Sequence, residues 1–414
     1  MRSEKEGHPE RSEGSLSAAS RDPSVGALPQ DDKRLDVASL RAQEFPWTSD
    51  TTYLNNASIG PLPERTRLVL EAFNKKRAAP FQLPDRELFG GMAESRRLVA
   101  ELIGASPEEI GLTINTGFGL SLAARALPLK AGDIVLTSDR EFPANVYPWM
   151  LLKDNGVNLE LAPTNSDGWP DEDRLLERLR DPRVRVLAIS LVQFSNGYTI
   201  DLGRLSAATR ASGTYLVVDA IQGVGQVPVD LRKTPVDVLA CGAQKWLLSP
   251  WGSGFVYVRQ ELIRELRPTV TGWMAFEGTD DFSRLTQYDD TLRGDARRFE
   301  MITLPYQDFA GMNASLRLLL DTGIVTIAEH LQLLQAPLLD WAARRQVRVA
   351  SPVGKHGSGI ICVAPADVGG AYRALKAARV ICGMREGAIR LSPHLYNTVA
   401  EMERVVDVLD QTTQ

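Results

Sequence analysis

From Asp36 onward, short runs of aliphatic and aromatic residues alternate with longer stretches whose apolar positions recur every three or four residues. That order marks an α/β protein built on a mostly parallel sheet. The short runs predict strands at 109–114, 133–138, 158–162, 184–190, 215–219, 238–241 and 254–258. Several, such as YLVV and FVYV, are apolar at consecutive positions, which implies burial on both faces. Helices fill the gaps, one over 120–127 after the first strand and one over 205–212 before the fifth. A second region begins near Gln307, where DFAGMNASLRLLLDTG starts a helical run. Strand-like VRVASP, GIICVAP and AIRLS segments then lead to a closing helix over 398–409. The pattern divides the chain into a tail over 1–35, a large region over 36–306 and a smaller α+β region over 307–414, with the first segment of the large region placed to pack on the small one. No internal repeat interrupts it.

Composition narrows the class. At about 150 residues per domain, 414 residues predict two to three domains and a large core. The apolar fraction of 43% contains no run near the roughly 18 apolar residues of a membrane span, so a protein without membrane attachment is expected. Lys plus Arg number 47 against 52 Asp plus Glu, and the net charge of −5 offers no basic field for nucleic acid. A small-molecule site is the better expectation. The tail holds only Met1, Leu16, Val25 and Leu28 as large apolar residues, too few to offset ordering entropy, and disorder is expected there. Its start, MRSEKEGHPE, lacks the apolar core of a secretory signal, which makes the cytoplasm the expected location. Cys241, Cys362 and Cys382 have no C-x-x-C spacing and fit a reducing compartment. The histidines, His8, His330, His356 and His394, make no metal spacing.

Three places carry chemistry. The strand TYLVVDA puts Asp219 at its carboxyl end, where open parallel sheets bind ligands, although a cap or turn carboxylate reads the same way. Further on, CGAQKWLLSP sets Lys245 in a turn between apolar segments. Loss of solvation there lowers an amine's pKa and makes it a nucleophile, whereas an ordinary loop lysine is a solvated charge. In INTGFGLSLAARAL, residues Asn115, Thr116 and Gly117 lead from strand to helix. Their free N–H groups and the helix dipole suit a phosphate, with the Thr116 hydroxyl adding to them. The Gly117–Gly119 pair is equally half of a nicotinamide fingerprint, with Asp139 near the distance expected of a ribose-binding acid. The full G-x-G-x-x-G is absent because position 122 is Leu. A scaffold that keeps such a fold without catalysis is a third alternative.

Phosphate cradle, strand-end Asp and turn Lys stand in the chain order of a known group. The sequence resembles the class V aminotransferase family of fold-type I pyridoxal-phosphate enzymes, which includes cysteine desulfurases, isopenicillin N epimerase and several carbon–sulfur lyases. The resemblance runs through TYLNNASIGPLP, EFPANVYPW, QFSNGYTIDL, VVDAIQGVGQ, CGAQKW, RRFE and GAIRLSPHLYNT, nearly all of the chain beyond the tail. It implies a large domain with a mostly parallel sheet, a smaller α+β carboxy-terminal domain and pyridoxal 5'-phosphate as cofactor. It also implies Lys245 as the Schiff-base lysine that moves protons at the substrate α-carbon. Asp219 would pair with the pyridine nitrogen, and Gln222 would bond the ring O3′. Phe142, which stands where desulfurases carry a histidine, would stack on the ring. Thr116 and Gly117, helped by Gln244 or by Gly242 and Ala243, would hold the phosphate. Asn196 would lie near O3′ and the substrate carboxylate, Asn56 in the substrate site, and Arg390 would fork onto the α-carboxylate. Thr303 would reach the cofactor of a partner subunit in a homodimer, with Ile302-Thr303-Leu304-Pro305 replacing the usual Gly-Thr-Pro-Asn.

One departure bears on the reaction. Desulfurases place a nucleophilic cysteine on a loop between an Arg-x-Gly motif and the carboxylate arginine; here Arg385-Glu386-Gly387 runs into Arg390 with only Ala388 and Ile389 between. Cys382 precedes the motif and reads as structural, as do Cys241 and Cys362. The expected activity is labilisation of the α-hydrogen of an amino acid or cysteine conjugate, with β-elimination slightly ahead. Epimerisation needs a second base opposite Lys245, for which Tyr53 and His394 are candidates. Transamination needs a site that accepts two different acids.

Overall fold

Buried strands, apolar on both sides, stack side by side under two covering layers, and they form most of a seven-stranded sheet here, with only the edge strand NLELA largely exposed. The computed structural model describes residues 35–412, so the tail expected over 1–35 lies, apart from Leu35, outside the described residues. In chain order the strands are β1 (Thr52–Tyr53), β2 (Ile110–Thr113), β3 (Ile134–Ser138), β4 (Asn158–Ala162), β5 (Val184–Ser190), β6 (Tyr215–Asp219) and β7 (Val238–Gly242). There follow β8 (Gly254–Val258), β9 (Arg348–Val349), β10 (Ile361–Ala364), β11 (Val380–Ile381), β12 (Gly383–Arg385) and β13 (Ala388–Leu391). The large sheet has the order β2-β8-β7-β6-β5-β3-β4. Only β8 runs against its neighbours, so the other six strands end along one edge.

The predicted strands match these seven within a residue or two at their ends. Glu109 belongs to a short turn, Pro107–Glu109, closed by a reciprocal capping box with Ser106, and Ile114 is exposed beyond the sheet. Predicted helix starts fall late because periodicity shows only where a helix touches the core. The helix Thr116–Ala126 begins four residues earlier, capped by Asn115, and Leu202–Ser212 is capped by Asp201. Glycine brings the first of these down onto the sheet: a Cβ on Gly119 would lie 2.8 Å from the Ala240 Cβ on β7.

The smaller sheet, in the order β12-β13-β10-β9, is antiparallel throughout. The two-stranded pairing of β1 with β11 is parallel, and Asn55 bridges Ser392. The early segment 52–58 is thereby tied to residues near the carboxyl end. The helix Tyr306–Thr322, where the sequence begins its small region, packs against helices Glu64–Arg77 and Asp85–Ile103, and the described residues 35–412 fall within one compact unit. Among the described residues, no helix is long and apolar enough to cross a membrane, and no group of three or more His, Cys, Asp or Glu suits a metal.

Candidate active site

The carboxyl ends of β5, β6 and β7 converge on one spot. Asp219, the last residue of β6, is buried beside Ser190 of β5 and Ala240 of β7. The Ile221 N–H donates to its Oδ1 at 3.1 Å. Burial pushes its carboxyl up to about 7, against the pull of the Lys245 cation. Lys245 lies three residues beyond β7 in a turn that admits little movement. Gly60 N–H donates to Gln244 O at 2.9 Å and Leu248 N–H to Lys245 O at 3.1 Å. A Cβ on Gly60 would come within 2.1 Å of Lys245 O, so only glycine fits there. Behind the lysine, fully buried Trp246 donates from Nε1 to Gln222 Oε1 at 2.8 Å. Burial pulls the Lys245 amine down to about 8; Asp219 opposes this, and the Arg390 and Arg385 charges reinforce it. The expected desolvated lysine beside a strand-end carboxylate is present.

The helix start joins this turn directly. Thr116 Oγ1 accepts from Gly242 N–H at 2.8 Å, and Asn115 Oδ1 accepts from Phe118 N–H at 2.8 Å. A Cβ on Gly242 would stand 2.6 Å from Gln244 Oε1 and 3.2 Å from Thr116 Oγ1, so Thr116, Gly242 and Gln244 line one small space. The first N–H groups of a helix have no intrahelical partner, and with the dipole they attract an anion. Phe142 follows on the loop after β3, its exposed ring packed edge-on against Phe194 at 5.2 Å and 5.7 Å from Lys245 Nζ.

Arg390, on β13, is 1% exposed. Its Nη1 donates to Phe194 O at 2.6 Å and its Nη2 to Ser58 Oγ at 2.8 Å, while Nε has no hydrogen-bond partner. Among the described residues it forms no ion pair with an acidic side chain. Burial, with Arg385 adding to it, pulls its pKa down to about 10. A buried guanidinium without a counter-charge is costly unless an anion completes it, and a planar carboxylate is the matching shape.

Other expected side chains are near the centre but otherwise engaged. The Gln222 carboxamide spans Ala57 O, at 2.9 Å, and Trp246 Nε1, which leaves one amide hydrogen for a ring oxygen. Asn56 donates from Nδ2 to Tyr396 Oη at 2.8 Å while its buried Oδ1 has no partner, and its neighbours Ala57 and Ser58 supply the contacts to Gln222 and Arg390. Asn196 builds its own turn, donating to Gly168 O at 3.0 Å and accepting from Tyr198 N–H at 3.0 Å, and Gly197 beside it abuts Ile360. Phe194, two residues earlier, occupies the position beside Arg390 and Phe142. Tyr53 Oη donates to Ile59 O at 2.8 Å. His394 donates from Nε2 to Trp246 O at 3.0 Å and accepts the Leu395 N–H at Nδ1, and burial pulls its pKa down to about 4. Thr303 is exposed and takes part in none of these contacts.

Sequence reasoning missed Glu141. It opens the EFPAN motif from which only Phe142 was singled out. It is buried among Ser190 N–H at 2.9 Å, the Ser190 hydroxyl, Gln193 Nε2 at 2.6 Å and Asn145 Nδ2 at 3.1 Å, and burial raises its pKa. An acid three residues beyond a strand end was the available signal.

The architecture is that of the fold-type I pyridoxal-phosphate enzymes. The apo cysteine desulfurase from Thermococcus onnurineus NA1 superposes with a TM-score of 0.80 at 23% identity, covering 91% of this chain and 98% of that one. The cystine C–S lyase C-DES, solved with its reaction product cysteine persulfide, gives 0.80 at 21% identity, covering 88% and 99%. The chain belongs to the class-V aminotransferase family, whose profile, described as "Aminotransferase class-V", matches residues 83–405. It is similar to the uncharacterized aminotransferase YcbU of Bacillus subtilis (strain 168), 30% identical over 319 residues that cover 77% of this chain and 83% of that one. It is an enzyme of that pyridoxal-phosphate-dependent family. The residues present fit the cofactor: a desolvated amine, a buried strand-end carboxylate and a helix start with a hydroxyl stand together.

Proposed function

We propose that the protein catalyses β-elimination from an α-amino acid, cleaving the carbon–sulfur bond of a cysteine conjugate. The observation that carries this reading is that both side chains considered for a second base are engaged elsewhere. Tyr53 donates to Ile59 O, and both ring nitrogens of His394 have partners, its pKa lying near 4. Elimination needs one base, and Lys245 supplies it. Desulfuration is disfavoured because Cys241, Cys362 and Cys382 are all buried, and burial pushes Cys362 up to about 11 and Cys382 to about 12. That C-DES, a cystine C–S lyase, shares the fold adds support.

Bound pyridoxal phosphate supplies a sink for the electron pair left when the Cα–H bond breaks. In this reading Thr116, Gly117 and Gln244 would hold its phosphate, Asp219 would keep its ring nitrogen protonated and Phe142 would stack on the ring. Arg390 orients the substrate through its α-carboxylate, and the neutral amine of Lys245 takes the Cα proton at Nζ. A pKa near 8 leaves a useful fraction of that amine neutral at physiological pH. The Cβ–S bond then breaks with its electron pair on sulfur, the thiolate takes a proton, and the three-carbon fragment hydrolyses to pyruvate and ammonia.

Incubating the cofactor-loaded protein with S-alkyl cysteines tests this. Pyruvate and thiol are expected in equal amounts, and none from Lys245→Ala. Exchange of the α-hydrogen with deuterated water and no pyruvate overturns the proposal in favour of epimerisation. Amino transfer to a keto acid without pyruvate overturns it in favour of transamination.

A further inference from the structure

The hairpin of β12 and β13 sets Gly383 opposite Arg390 and Arg385 opposite Ala388. Opposed residues share a face, and every second residue along a strand returns to it. Arg385 and Arg390 are therefore diagonal neighbours on one face, while Met384 and Ile389 take the other. Gly383 lies against the Arg390 fork: a Cβ there would stand 3.3 Å from Asn55 Oδ1, 3.6 Å from Arg390 Nε and 3.7 Å from Nη2. This is the face that meets Ser58 and Phe194, because Arg390 bonds both.

Two like charges at diagonal positions repel. Among the described residues, neither arginine forms an ion pair, and Arg385 donates a hydrogen bond only to its neighbour Met384 O, at 2.8 Å. The contrast with the other end of the site is chemical. Arg390 is buried, and the reading above gives it the α-carboxylate, whereas Arg385 is exposed and, among the described residues, has no acidic partner. The Arg385 charge reaches both Arg390 and Lys245, lowering the proton affinity of each. Resting on the amino-acid reading above, we propose that Arg385 is a specificity-determining residue that receives a second anionic group, a carboxylate or sulfonate, on the substrate side chain. Diagonal partners lie about 7–8 Å apart at Cα, a span that a side-chain acid a few bonds beyond the β-carbon can bridge. The preferred conjugate is thus acidic and not neutral.

Titrating the cofactor-loaded enzyme with S-carboxymethyl-L-cysteine and with its neutral isostere S-carbamoylmethyl-L-cysteine, followed by the change in visible absorbance, tests the assignment. The acid is expected to bind about tenfold more tightly, the size of one charge-assisted contact. Raising the salt concentration should shrink that preference. Arg385→Gln should abolish it without changing the affinity for the isostere, and Arg385→Lys should keep part of it. Equal binding of the two ligands by the native enzyme, or a preference undiminished in Arg385→Gln, overturns the proposal. Pyruvate release is measured separately. A preference without pyruvate counts against elimination alone, and pyruvate without a preference counts against Arg385 alone.

Discussion

Lys245 and Asp219 hold each other's charge, and that coupling sets a measurable pH dependence. The nucleophile is the neutral amine, so the rate at which apoenzyme captures pyridoxal phosphate should rise with pH and reach half its maximum near pH 8, well below the value of a solvated lysine. Asp219 raises the Lys245 pKa, so Asp219→Asn should move the midpoint to lower pH. A stopped-flow pH series on both proteins checks the position and the direction. At the far side of the site, Arg390→Lys keeps a charge but cannot reach Ser58 and Phe194 O together while presenting a fork. Loss of one of two charged contacts costs about 1.5–3 kcal/mol, or roughly 10- to 150-fold in amino-acid affinity. Cofactor affinity, measured by fluorescence titration, should change little.

At the scale of elements, the helix Thr116–Ala126 touches β7 closely enough that its first turn stays bonded to the Lys245 turn. Gly119→Val would drive methyl groups into Ala240 and lift the helix away. A destabilisation of about 1–3 kcal/mol, read by chemical denaturation, should accompany weaker cofactor retention. What was legible in the sequence follows the same division. Strands β2, β3 and β5 to β8 could be read because burial on both faces leaves mostly apolar choices, the edge strand β4 because its leucines alternate with polar residues, and Asp219 and Lys245 because each sits next to a buried run. Where a carboxamide points was not legible. Gln222, Asn56 and Asn196 each bond a group made available by long-range packing, at Trp246, Tyr396 and Gly168 respectively. Glu141 was hidden for a related reason, since its partners Ser190 and Gln193 come from β5 and the turn beyond it.

For the whole molecule, the homodimer implied by the family resemblance makes a prediction about Thr303, which is exposed in its own chain. Light scattering of the native protein should give twice the chain mass of 45.5 kDa. Thr303→Ala should then loosen the cofactor while leaving amino-acid affinity whole. A stable, active, cofactor-loaded monomer would rule out a cross-subunit role for Thr303. Within one chain, the segment at Asn55–Ser58 lies against Ser392 and Arg390, so residues made early wait for partners made almost last. The lysine, the strand-end acid and the helix start all precede residue 246, whereas the grip on the amino acid awaits β13. During synthesis, therefore, the chain carries Lys245, Asp219 and Thr116, which the reading above gives to the cofactor, well before Arg390, which it gives to the substrate carboxylate. A chain cut short near its end would be left with the reactive half of the site and no selectivity over what meets it.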